Sequence, residues 1–314
     1  MAAHLVPERT GRPALTDPGA GAPGQGAEGT LVLPGGRVLA YAWRGDPRGT
    51  PVLEFPGLPG ARRAAVVPAA FLRERGILWV SADRPGLGGS APQPGRILLD
   101  WPHDVRRLAD HLGLGRFAVL GGAAGAPYAL ACAWALADRV SAVALVSGVG
   151  PLERPESLAG LGPEPRRLVR LSRRAPGLAR LVVAGARAHP LTAFQRLLDA
   201  LPEPDRRVAA RPEVRRSLLE SYALAFRQGT AGQVRDWAVL AMPWGFRPGD
   251  VEAPVRIFHG ALDGLVPLAH AEALAAALPR ARLTAFPGEG HLVGFGRAGE
   301  LLAALAEEAR AAAT

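Results

Sequence analysis

Three short stretches carry residue types that could do chemistry together. The first is Gly121-Gly122-Ala123-Ala124-Gly125, between a strand pattern, Phe117-Ala118-Val119-Leu120, and a helix of small residues running from Pro127 to Leu136. A strand that turns sharply into a helix needs small residues, because the backbone folds back on itself and one residue takes a strained conformation. Where such a turn reads G-x-S-x-G, the strained residue is a nucleophilic serine. Here the third position is Ala123, which has no oxygen. The other two stretches are His259-Gly260-Ala261-Leu262-Asp263 and Pro287-Gly288-Glu289-Gly290-His291, each just past a predicted strand. That rim is where open α/β sheets bind ligands.

A fourth stretch, Asp83-Arg84-Pro85-Gly86-Leu87-Gly88-Gly89-Ser90, lies between the N-terminal strands and the Gly-rich turn. These four segments, in this order, resemble the α/β-hydrolase family from about Thr30 to the C-terminus. The resemblance implies an α/β fold with a central, mostly parallel sheet flanked by helices and a helical cap inserted after the sixth strand. It implies that Asp263 is the acid and His291 the base of a Ser…Asp…His triad, with Ala123 in the vacant nucleophile position. The oxyanion hole falls to the backbone N–H groups of Leu58 and Ala124. Pro56 stands where the family's H-G-x-P-G loop has histidine, a second departure at the same site.

The elements that must position these residues read as follows. Residues 1–28 hold four prolines and five glycines and no apolar run, which predicts a disordered leader without a secretory signal. Core segments are expected at 29–150 and 252–314. The first opens with a hairpin, Thr30–Pro34 and Arg37–Trp43 joined through Gly35-Gly36. Strands then follow at Pro51–Phe55, Ile77–Ser81, Phe117–Leu120 and Ala142–Ser147. Helices are predicted at Arg62–Arg75 and at Asp100–Leu112, the latter with Asp100 as N-cap. Strands alternating with helices make a parallel sheet. From 151 to 251 the alternation stops and helices broken by proline take over, at Glu164–Ser172, Leu178–His189, Leu191–Leu201, Arg211–Gln228 and Val234–Met242; this is the cap. Its candidate pocket residues are Trp237, Trp244 and Phe246, which could equally pack the cap on the core. Strands at Pro254–Phe258 and Ala281–Phe286 and a helix at 298–313, with Leu301, Leu302, Leu305 and Ala309 on one face, complete the chain.

Composition excludes several classes. The net charge of +9 would suit a nucleic-acid partner, but all 37 basic residues are arginines and no lysine or asparagine occurs. That bias fits codon usage better than a selected basic surface, so no nucleic-acid partner is expected. Without lysine no side-chain Schiff base can form. The one cysteine, Cys132, can form no internal disulfide and reads as a small core residue, which points to a cytoplasmic setting. The uncharged run from Phe117 to Ala137 is broken by Gly-Gly and Pro127, so no membrane span is expected. Neither metal nor cofactor is called for.

Four readings of function remain. The first is an enzyme using His291 as general base, held by Asp263, on a small apolar or ester-like molecule, by non-covalent hydrolysis, elimination or cyclisation. The second is a non-catalytic ligand- or partner-binding protein. The third is an engineered Ser-to-Ala form of an esterase-like hydrolase. A nucleic-acid or structural role is the fourth, and no motif supports it. Efficient serine-type hydrolysis is not expected, since loss of a triad nucleophile costs about a million-fold in turnover.

Overall fold

The computed structural model describes residues 27–63, 66–153 and 155–312. Strands β1 (Ala27–Val32), β2 (Val38–Gly45), β3 (Thr50–Phe55), β4 (Ile77–Ala82), β5 (Phe117–Gly122), β6 (Val140–Val146), β7 (Val255–Gly260) and β8 (Ala281–Phe286) form one sheet in the order β1-β2-β4-β3-β5-β6-β7-β8. The β1–β2 and β2–β4 pairs are antiparallel, and every other pair is parallel. Both β4 and β6 are buried along their whole length. Helices cover both faces of such a sheet, so its central strands read as continuous apolar runs.

One face of the sheet packs on α2 (Trp101–His111) and α3 (Ala126–Ala135), with Leu53, Phe55, Val80, Leu108 and Leu130 in the core. The other face packs on the C-terminal helix, Ala298–Ala311, through Val52, Trp79, Val146, Leu301 and Leu305. Between β6 and β7 the cap runs through α4 (Pro155–Gly160), α5 (Pro163–Arg174), α6 (Pro176–Ala188), α7 (Pro190–Asp199), α8 (Glu203–Ala209), α9 (Pro212–Ala225) and α10 (Ala231–Leu240). Its own core holds Phe194, Leu198, Tyr222 and Phe226. The α11 (Leu268–Ala277), α12 (Val293–Gly296) and α13 (Ala298–Ala311) helices follow. No helix among the described residues is long and apolar enough to cross a membrane.

Helices α4, α8 and α11 were not expected from the sequence, and three of the expected features differ in the structure. β1 begins at Ala27, inside the stretch read as a leader, and Glu28 binds Arg62 at 2.7 Å; the rest of that stretch lies outside the described residues. The helix expected over Arg62–Arg75 is confined to α1 (Ala69–Glu74), since Pro68 fixes an extended residue at its start and Arg62 is drawn instead onto the buried Asp83. Asp100 does not cap α2. It closes a short 3₁₀ turn, and its carboxylate accepts the Ile97 N–H at 2.8 Å.

A buried ionic cluster ties cap to core. Asp236 on α10 is fully enclosed and accepts from Arg84 at 2.7 Å, from Tyr128 Oη at 2.6 Å and from Arg96. Burial alone would raise its pKa, but the two guanidinium groups and the Tyr128 hydroxyl outweigh it and hold it at about 2. Removing one partner of a buried charge cluster leaves the others uncompensated. Asp236→Ala should therefore cost about 3–5 kcal/mol in urea denaturation. A loss of less than about 1 kcal/mol, the value of an exposed pair, would show that the cluster does not hold cap to core.

Candidate functional site

The Gly-rich turn is an elbow with no room to spare. A Cβ on Gly125 would stand 2.0 Å from the Phe55 carbonyl oxygen, and one on Gly121 would stand 2.7 Å from the Ala126 Cα. Only glycine permits β5 to turn into α3 against β3 in this way. Between them Ala123 has φ 47°, a left-handed conformation that costs a residue with a Cβ of order 1 kcal/mol or more. The strain holds its Cβ at the top of the sheet, 3.2 Å from where a Cβ on Gly57 would lie.

Asp263 and His291 meet beside it. His291 Nδ1 lies 2.7 Å from Asp263 Oδ2, while Asp263 Oδ1 accepts the backbone N–H groups of Leu265 at 2.8 Å and Val266 at 2.9 Å. Burial opposes the charge on Asp263, but His291, His259 and those N–H groups prevail and hold its pKa below the carboxylate range. The carboxylate is thus ionised and can only accept. His291 must then carry its proton on Nδ1, which leaves Nε2 as the basic nitrogen when the ring is neutral. Burial also disfavours the imidazolium, yet the charge and hydrogen bond of Asp263, with help from Asp205, raise the His291 pKa above 6.5.

Two supporting residues were not expected from sequence. Asp205 on α8 reaches out of the cap to accept the backbone N–H of His291 at 2.9 Å and of Leu292 at 2.7 Å, so the cap fixes the loop that carries the base. His259, from the same stretch as Asp263, has Nε2 2.7 Å from the Val266 carbonyl and 3.4 Å from Asp263 Oδ2. It fixes the turn that presents Asp263. A helix start at Glu203 was legible in principle, from proline in its first turn followed by acidic residues.

The loop after β3 is held by Arg84, which donates to the carbonyls of Pro56 at 2.6 Å and Gly57 at 3.3 Å. The Leu58 N–H enters no hydrogen bond among the described residues. Ala124 is the second residue of the short turn Ala123–Gly125, where first-turn N–H groups lack intrahelical partners. The hydroxyls of Ser147, Ser90 and Ser221 are committed elsewhere. Ser147 donates to the His291 carbonyl at 2.9 Å, Ser90 accepts from Ala40 at 2.9 Å, and Ser221 bonds both backbone groups of Ala61. Cys132 is enclosed in α3 and burial pushes its thiol up, so it supplies no nucleophile.

A cavity of about 250 Å³ opens at this point, and its wall includes Leu58, Ala123, His291 and Trp237. The rest of the wall is mostly apolar, drawn from the cap, from strands β3 to β6 and the loop after β3, and from α12 and α13. Trp244 and Phe246, expected as pocket residues, lie elsewhere. They follow α10 where the cap returns to the core, and Phe246 stacks on Trp134 of α3 with ring centres 5.5 Å apart, 5.6 Å from Trp244. Trp244 is buried in the core beneath that seam.

Comparisons with known proteins agree with this architecture. A thermophilic esterase from Thermogutta terrifontis superposes with a TM-score of 0.66 at 23% identity, over 92% of this chain and all of that one. A bromoperoxidase from Bacillus anthracis gives a TM-score of 0.66 at 18% identity, over 89% of this chain and 98% of the other. In sequence, a pimeloyl-[acyl-carrier protein] methyl ester esterase from Aromatoleum aromaticum is 52% identical over 48 residues, a match spanning 15% of this chain and 19% of that protein. The sequence model of the alpha/beta hydrolase fold matches residues 50–298. With the eight-stranded sheet, the strained elbow and the cap between β6 and β7, that match makes this chain a member of the α/β-hydrolase fold family.

Proposed function

We propose that this protein is a small-molecule enzyme in which His291, held by Asp263, is a general base, acting on an apolar ester-like substrate without a covalent intermediate. The observation that carries the reading is the 2.7 Å bond between His291 Nδ1 and an ionised Asp263, in the wall of a cavity that also contains Ala123. The esterases among its structural relatives point to the substrate class. Neutral His291 takes a proton from a water molecule as the water oxygen attacks the ester carbonyl. The carbonyl oxygen becomes an oxyanion facing the N–H groups of Leu58 and Ala124, and Asp263 stabilises the imidazolium. When the tetrahedral adduct collapses, the proton passes from His291 to the departing alkoxide. Water thus occupies the role that a serine oxygen has in a triad, and the space above the Ala123 methyl group is where it attacks.

A second reading, a ligand-binding protein without turnover, is favoured by one observation: Ala123 has no oxygen, and the hydroxyls of Ser147, Ser90 and Ser221 are committed elsewhere.

With p-nitrophenyl butyrate as probe, His291→Ala should lower turnover by about 10²–10⁴-fold, the usual contribution of a general base. Unchanged turnover would remove His291 from the mechanism, and a wild type no faster than buffer would favour the binding reading. The base works deprotonated, and Asp263 raises its pKa. The acid limb of the kcat profile should therefore lie above pH 6.5, and in Asp263→Asn it should move to lower pH with a lower plateau. A limb that stays in place would show that Asp263 does not set the base.

Ala123→Ser gives a complementary readout. If the base and the N–H donors of Leu58 and Ala124 are assembled, a fluorophosphonate should label the serine variant and not the wild type, with the label lost again in Ala123→Ser/His291→Ala. Failure of Ala123→Ser to label would mean that the loop at Pro56 no longer supports an oxyanion.

A further inference from the structure

Glu54 is a carboxyl in the apolar cavity that the proposed chemistry leaves unused. It stands on β3, paired with Ser81 on β4 and with Leu120 on β5, three residues before Ala123. Its neighbours Leu53 and Phe55 point into the opposite core layer, so Glu54 faces the side of the sheet covered by α13. The residue is 7% exposed, and its Oε2 is enclosed without a hydrogen-bond partner. Ser81 Oγ and Trp79 Nε1 lie beside it on β4 and pull its pKa down as hydrogen-bond donors, although neither has a partner at close hydrogen-bond distance. Buried polar atoms are almost always paired, because an unpaired one costs about 1–3 kcal/mol. An acid with one oxygen lacking a close partner, in the wall of an otherwise apolar cavity, points to a group that enters from the cavity.

We propose that this end of the cavity is a polar subsite, in which Glu54 accepts a hydrogen bond from the hydroxyl group of an otherwise apolar ligand. The Trp79 N–H is the complementary donor to the same hydroxyl oxygen. Leu120, Val146, Leu301 and Leu302 enclose the adjoining carbon chain. An alcohol both donates and accepts, which matches a carboxyl beside an indole N–H. A carboxylate or phosphate ligand would be repelled by ionised Glu54, and an ammonium would have to be desolvated among leucines. Burial raises the Glu54 pKa to about 7, against the opposing pull of Ser81, Arg44, Arg84 and Trp79, so above neutral pH the group is chiefly an acceptor. The inference rests on the cavity being a ligand site, as both functional readings require, and not on His291 performing catalysis.

The test uses two isomeric probes of equal size, 1-hexanol, which donates a hydrogen bond, and methyl pentyl ether, which only accepts. Each is titrated into the full chain at pH 8 by calorimetry, with thermal melts confirming that every variant is folded. The wild type should bind the alcohol about tenfold more tightly than the ether, the equivalent of one hydrogen bond to a charged group. In Glu54→Leu the two should bind equally. In Glu54→Gln, whose amide can donate to the ether, the preference should fall below about threefold. Equal binding by the wild type, or a preference that survives in both variants, would overturn the subsite and leave the cavity intact as a ligand site. Failure of both probes to bind the wild type would overturn the subsite and the cavity reading together.

Discussion

Everything at the site depends on how closely the elbow packs against β3. A Cβ on Gly125 would fall within 2.0 Å of the Phe55 carbonyl oxygen, so the β5–α3 turn exists only because that position has no side chain. The same contact sets the height of Ala123 above the sheet and the position of the loop after Phe55, which supplies Leu58. Ala123 and Leu58 are therefore coupled by a single backbone approach. The left-handed conformation of Ala123 follows from it. Strain of this kind persists only where surrounding structure over-determines it. Its presence without a nucleophile shows that the geometry belongs to the fold and does not depend on the serine.

The cap stabilises this arrangement through two carboxylates that work at different distances from the chemistry. Asp236 neutralises Arg84 and Arg96, and Arg84 in turn holds the carbonyls of Pro56 and Gly57. Asp205 acts on the other side, accepting the two N–H groups at the start of the His291 loop. Each joins a cap helix to one half of the site, the oxyanion loop or the base. A cap anchored in this way, through a fully buried ion cluster on α10, is part of the framework that orders the site as well as its cover. Cap position and site geometry then vary together, since moving α10 would expose uncompensated guanidinium groups beside Pro56.

What was legible in the sequence divides along the same line. The sheet and the elbow frame could be read from local pattern, apolar runs and glycine spacing, and the Asp263 and His291 stretches from their resemblance to the α/β-hydrolase family. The supporting carboxylates could not, because their partners are 86 residues away for Asp205 and 152 for Asp236. Nothing local distinguishes an acid that reaches across the seam from one on a solvated helix face. Trp237, Trp244 and Phe246 were equivalent by composition, and only the path of the chain after α10 separates the one in the cavity from the two in the seam. Glu54 is the opposite case. An acid inside the apolar run Pro51–Phe55, on a strand buried toward both layers, is an anomaly visible in the sequence, although its meaning requires the cavity.

Asp263 and Glu54 show how one fold shifts the pKa values of two buried carboxyls in opposite directions. Burial pushes both toward protonation. Asp263 overcomes it because two backbone N–H groups and a histidine donate to it. At Glu54 burial outweighs the pull of Ser81, Arg44, Arg84 and Trp79, and its pKa rises to about 7. The strength of the charges and hydrogen bonds that oppose burial decides the difference. The consequence is a division of labour: Asp263 is a fixed charge shielded behind His291, committed to orienting the base, and Glu54 is an uncommitted group facing the ligand. When environments push two titratable groups apart in this way, their roles separate as well. A ligand anchored by its hydroxyl at Glu54 would extend its carbon chain along the same wall that contains Ala123 and His291. Affinity would then be set at one end of the cavity and reactivity at the other.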